Sequence, residues 1–207
     1  MITRPELRTQ ALNTLRGKWT QPVLAALIVV LVNGISQGAN QSQSITFIVV
    51  AFLVALLIGC NLQYGFSVAM LRFHRNREEA INEMISAGFK EDYARVLGIE
   101  LLKAVFIFLW ALLLIVPGII KAYSYAMTEF IAEDNPELGP NECIERSKVM
   151  MEGHKMDLFL LDLSYIGWIL LGIITFGIGL LWVSPWMSMA HVKFYEQLQN
   201  EAQGYTA

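Results

Sequence analysis

The chain has 207 residues, 55% of them hydrophobic and 16% charged, with a formal net charge of -3 and a mean hydropathy of +0.48. That apolar content exceeds the roughly 45–50% of soluble domains, and a soluble domain of this size has too little interior to hide it. No basic excess marks a nucleic-acid partner, and the two cysteines and three scattered histidines lack the spacing of a disulfide framework or a metal site.

No Asp, Glu, Lys or Arg stands between Lys18 and Arg72, and residues 104–120 and 163–190 are also free of formal charge. A charge at the bilayer centre costs about 2.5–3.5 kcal/mol on insertion scales, so this sweeping of charge into blocks predicts a chain threaded repeatedly through a membrane.

In chain order, a surface helix is expected near residues 4–16, with a Thr3/Glu6 capping box and Leu7, Ala11, Leu12 and Leu15 on one face. It ends at Gly17-Lys18. Crossings near 21–34 and 45–70 follow, separated by the polar, glycine-bearing stretch 33–44. The apolar run 23–32 follows a capped basic helix and precedes a second apolar run, so it is expected to be retained rather than cleaved as a leader. A second surface helix, 77–87, groups Ile81, Met84 and Ile85 and ends at Gly88-Phe89-Lys90.

The third crossing, 96–116, is expected to stop at Pro117-Gly118, because proline lacks the amide donor and disfavours helix in its predecessor. The fourth covers 119–132. A third surface helix starts at Pro140, groups Ile144, Ser147 and Met151, and ends at Gly153-His154-Lys155. The fifth crossing, 158–174, is closed by the turn holding Gly177 and Gly179, and the sixth covers 180–195. At each surface helix, the glycine is expected to supply a left-handed residue, and Lys18, Lys90 and Lys155 to reach headgroup phosphates.

The resulting fold class is all-α: a multi-pass transmembrane protein with about six membrane helices in three hairpins, each preceded by a short amphipathic interfacial helix. One membrane domain spans 1–207, divisible into tandem units 1–75, 76–134 and 135–207. Lysine and arginine gather before the first crossing, between the second and third, and between the fourth and fifth, which places both termini in the cytoplasm. The fourth crossing is short, leaving full crossings and shallow re-entrant hairpins both open.

Charges beside apolar runs are the candidate functional residues. Glu100 and Lys103 share a face of the third helix, Asp162 holds nearly the corresponding place on the fifth, and Glu129 and His191 lie toward the cytoplasmic ends of the fourth and sixth. They predict an ion-paired layer near the cytoplasmic interface. Tyr64, Tyr123, Tyr125, Trp182 and Trp186 read as belt or packing aromatics. No nucleophile elbow, HExxH, phosphate loop or paired-cysteine motif is present, so no catalytic, metal or cofactor-binding residue is assigned.

The stretch Val116-Pro117-Gly118-Ile119-Ile120-Lys121-Ala122-Tyr123-Ser124-Tyr125, with Asp134-Asn135-Pro136, Gly153-His154-Lys155 and Gly177-Ile178-Gly179-Leu180-Leu181-Trp182, resembles a bacterial family of integral membrane proteins catalogued as domain of unknown function 975. The resemblance implies a multi-pass inner-membrane protein and carries no catalytic residues. The expected function is a non-enzymatic scaffold, regulatory or lipid-interacting module, with membrane lipids and a homo-oligomer or membrane-protein neighbour as partners. A small transporter or channel using Glu100, Lys103 and Asp162 is the alternative, and an intramembrane enzyme the second.

Overall fold

The computed structural model describes residues 3–38, 45–76, 80–90 and 92–204, and all regular structure among them is helical. The order is α1 (Arg4–Leu15), α2 (Thr20–Gly38), α3 (Ile45–Asn76), α4 (Ala80–Ile85), a π-helical turn (Ser86–Lys90), α5 (Tyr93–Leu113), α6 (Ile115–Ser124), α7 (Thr128–Asp134), α8 (Pro140–Met150), α9 (Lys155–Leu163), α10 (Ile166–Ile174) and α11 (Leu180–Gly204). Among the described residues, one stretch, Lys155–Ile174, is long and apolar enough to cross a membrane. A second qualifies if Arg4–Leu15 and Thr20–Val32, bent by 101° at their junction, count as one span.

The short amphipathic helices fold inward rather than standing apart. In α1 the Glu6 carboxylate accepts the Thr3 N–H at 2.8 Å, closing the predicted capping box. Leu7, Ala11 and Leu15 are buried, and α1 packs on α11, where Trp186 Nε1 donates to Arg8 O at 2.9 Å. Leu12, expected on the same face, is exposed because it lies a third of a turn off the buried stripe. In α8, Gly139 N–H donates to Glu142 Oε2 at 2.9 Å, Pro140 opens the first turn, and Cys143, Ile144 and Ser147 are buried. Ser147 Oγ donates to Ser124 O at 2.9 Å and accepts the Met127 N–H at 3.2 Å. It thereby supplies partners to the backbone that breaks α6 from α7.

Gly17 and Gly153 take the left-handed conformation, with φ +79° and +83°, and nothing lies within 4 Å of where a methyl group would stand. Their role is conformational, as expected of helix ends. Gly88 departs from that expectation. It lies within the π-helical turn without a positive φ, and the left-handed residue there is Asp92, φ 41°. A methyl on Gly88 would stand 2.5 Å from Asn61 O, and one on Gly65 2.2 Å from Met84 O. Both glycines therefore serve close contact between α3 and the α4 segment.

Other boundaries also differ. The fold break expected at Pro117 comes at Leu114 (φ -159°, ψ 142°), and Pro117 falls in the first turn of α6. A helix start leaves amide donors unpaired anyway, so proline marks the beginning of the second helix rather than the end of the first. Gly118 lets α6 lie against α5: a methyl there would be 2.9 Å from Ala111 Cα. Residues 33–38 of the expected polar turn continue α2, since isolated glycines cost only about 1 kcal/mol in a helix; the rest of that turn, 39–44, lies outside the described residues. The fourth helix is split at 125–127 and the fifth at 164–165, whereas α11 continues past the expected sixth helix to Gly204.

The molecule is strongly two-sided. The buried core collects residues of α1, α2, residues 62–73 of α3, α4, the start of α5, α7, α8, α9 and α11. The ends of the α5/α6 and α10/α11 hairpins project bare apolar surface: Leu112 is 73% exposed, Ile115 75%, Ile174 73% and Phe176 99%. Exposed apolar side chains grouped this densely are the kind of surface that meets an apolar partner.

Candidate functional site

The five charged candidates lie at the boundary between these two sides and sort into two clusters. On α5 and α7, Lys103 Nζ is 2.7 Å from Glu100 Oε1 and 2.5 Å from Glu129 Oε1. The Glu100, Lys103 and Glu129 side chains are only 7, 16 and 13% exposed, so two carboxylates share one nearly buried ammonium. On α9 and α11, His191 Nε2 lies 2.6 Å from Asp162 Oδ1, while Tyr123 of α6 donates to Asp162 Oδ2 at 3.0 Å. Tyr123, expected only as a belt or packing residue, is thus part of the site.

A cleft of about 500 Å³ separates the clusters, with Glu129 and His191 on its wall and Phe66, Ile169, Val183 and Met187 among its apolar lining. Among the described residues, no group of three or more His, Cys, Asp or Glu side chains is arranged to hold a metal ion. With every candidate charge engaged by a protein partner, the chemistry on offer is charge pairing between helices. The hairpin turns Pro117-Gly118 and Gly177–Gly179 stand at the opposite end of the apolar hairpins, and Lys121 Nζ sits 4.7 Å from the Trp110 ring centroid.

Below this layer lies a wider ionic network that sequence reasoning assigned only to membrane orientation. Arg72 bridges Glu133 at 2.6 Å and Glu83 at 2.8 Å, tying α3 to α7 and α4. Arg95 donates to the carbonyls of Ala132, Asn135 and Leu138 at 3.1, 2.8 and 2.8 Å, pinning the α7–α8 connection to α5. Of the exit lysines, Lys18 is exposed and Lys155 half-buried.

Asp134 is the hub of the outermost part. It pairs with Arg75, accepts Tyr195 OH at 2.9 Å and accepts Gln199 Nε2 at 2.8 Å. Burial pushes its pKa up, but the Arg75, Tyr195 and Gln199 bonds outweigh that and hold the carboxyl below its usual value. A depressed carboxylate contributes stability that is present above its unfolded pKa and is lost as pH falls through its folded value. Asp134→Asn should therefore lower the unfolding temperature at neutral pH, with the gap from the parent protein closing as pH falls below about 4. A gap independent of pH between 7 and 3 would show that the carboxylate charge is not responsible.

These features define an all-helical protein in which a charge-paired collar supports bare apolar hairpins. The chain belongs to the family described as protein of unknown function (DUF975), whose model matches residues 1–126 and 112–202. No curated protein and no solved structure matches the chain.

Proposed function

We propose that this is a non-enzymatic integral membrane protein of the bacterial inner membrane, with both termini cytoplasmic and the collar acting as a scaffold, regulatory or lipid-interacting platform. The observation that carries this reading is the two-sided surface: ion-paired helices on one side, exposed Leu, Ile and Phe on the other. At 1.5 Å per residue α3 is about 48 Å long, more than a bilayer core of about 30 Å, and α2, at about 28 Å, comes close to it. The Gly17 and Gly153 turns give the first and third amphipathic helices the same exit into an apolar helix, in keeping with tandem units.

A small transporter or channel is the second reading, favoured by the cleft that brings Glu129 and His191 to one wall. A single preparation separates the two. In proteoliposomes, the protein should resist alkaline carbonate extraction and leave ion and solute flux at the level of protein-free vesicles. Extraction into the supernatant would defeat membrane integration. Flux abolished by Asp162→Asn or Glu100→Gln would replace the scaffold with the transporter.

A further inference from the structure

Measured from the ion-paired layer, the α5/α6 and α10/α11 hairpins reach only about half-way across a bilayer and end in apolar tips; Lys155–Ile174 as a whole is long enough to cross, but its first part, up to Asp162, belongs to the collar. Beyond the ion-paired layer, residues 104–113 reach about 15 Å, and residues 163–174 and 180–191 about 18 Å each, at 1.5 Å per residue. Half of a hydrocarbon core of about 30 Å is about 15 Å. The tips carry no charge: one is Leu-Ile-Val-Pro-Gly, residues 114–118, and the other Thr-Phe-Gly-Ile-Gly, residues 175–179.

Most backbone donors of the second tip, though not the Phe176 N–H, are paired within the turn. Thr175, Gly177, Ile178 and Leu180 N–H groups donate to the carbonyls of Leu171, Gly172, Thr175 and Gly177 at 3.0–3.2 Å. Gly179 N–H donates to Thr175 Oγ1 at 3.0 Å, and that hydroxyl donates to Gly172 O at 2.8 Å, so the tip's one polar side chain is spent inside the turn. Phe176, at φ 55° and 99% exposed, points its ring away from the protein. A turn in water can leave its amides to solvent and gains nothing from an exposed phenyl. In hydrocarbon an unpaired amide costs several kcal/mol, which favours pairing within the turn. At the first tip, Leu114 and Gly118 N–H donate to Trp110 O and Leu114 O at 3.2 Å, and Pro117 removes a donor that the start of α6 would otherwise leave open.

We infer that both hairpins enter and leave the bilayer from the collar side, embedding their tips among the acyl chains of that leaflet, so that only α2 and α3 cross. The inference rests on the membrane reading above and names its partner: hydrocarbon near the bilayer midplane. Lys121, the charge nearest the first tip, lies over Trp110 and can extend its stem toward the collar. An even number of crossings keeps the collar helices on one face.

The test uses the full chain with Cys60→Ala and Cys143→Ala, carrying one new cysteine at a time: Phe176→Cys or Ile178→Cys at the tip, Val149→Cys on the collar, or Ser36→Cys near the end of α2. In sealed vesicles of phosphatidylcholine and phosphatidylglycerol, an impermeant maleimide should label Val149→Cys from the collar face and Ser36→Cys from the opposite face. Both tip cysteines should be unlabelled from either face until detergent is added. A fluorophore attached to the tip in detergent should, after reconstitution, lose most fluorescence with lipids brominated near the acyl end. Tip labelling from the face opposite the collar means a complete crossing and overturns the inference. A tip that is protected from maleimide but unquenched by every brominated lipid is covered by protein, which overturns it too. Labelling of all four positions in intact vesicles sinks the membrane reading itself, a result distinct from either.

Discussion

Replacing Lys103 with methionine is expected to destabilise the protein by on the order of 3–5 kcal/mol, the cost of removing one partner from a buried ionic group. The substitution keeps most of the side-chain volume and removes the ammonium, leaving Glu100 and Glu129 to face each other with neither solvated. Like charges at this separation repel strongly where water is scarce, and each carboxylate also loses its nearest hydrogen-bond donor. The control is to remove the whole set. Lys103→Met combined with Glu100→Gln and Glu129→Gln should recover most of the loss, because a neutral set carries no uncompensated charge. Unfolding in nanodiscs, followed by tryptophan fluorescence, reads both variants. A Lys103→Met loss below about 1 kcal/mol would match a solvated pair and contradict the burial seen here.

Gly65→Ala is the second large effect, expected at the upper end of the roughly 1–3 kcal/mol typical of overpacking. The added methyl would stand 2.2 Å from Met84 O and 3.2 Å from Gly88 N. Those are backbone atoms of α4 and the π-helical turn, so no rotamer change relieves the clash, and α4 must move off α3. Arg72 bonds both Glu83 and Glu133, which means such a shift also strains the link from α3 to α7. Gly167→Ala supplies the opposite sign. Nothing lies within 4 Å of its methyl position, and it sits inside α10, so alanine should stabilise by roughly 0.5–1 kcal/mol. Equal effects at the two positions in the unfolding assay would remove the packing argument for Gly65.

Charge placement made much of this organisation legible. Glu100, Lys103, Glu129, Asp162 and His191 stood out because each interrupts or borders an apolar run, and the structure brings all five to the base of the hairpins. Their pairing was readable only for Glu100 and Lys103, three apart on one helix. Glu129 and His191 found partners on other helices through tertiary packing, which a single chain of letters does not encode. The breaks were harder still. Leu114 is a good helix former, yet the chain turns there: the Pro117 ring is incompatible with a continuous helix through residue 113, and Gly118 allows the close return against Ala111. Glycine itself was ambiguous: at Gly17 and Gly153 it permits a left-handed backbone, whereas at Gly65 and Gly88 it permits two backbones to touch. Only the neighbours distinguish these uses.

The bond from Trp186 Nε1 to Arg8 O, together with α1 packed on α11, joins segments separated by 178 positions in sequence. Such a distant pairing can close only after nearly the whole chain is available. Because synthesis proceeds from the N-terminus, Leu7, Ala11 and Leu15 emerge from the ribosome long before α11 exists to cover them. The first helix made is thus among the last to be buried. Until the final helix is in place it is an open apolar stripe, available to the membrane surface or to a chaperone.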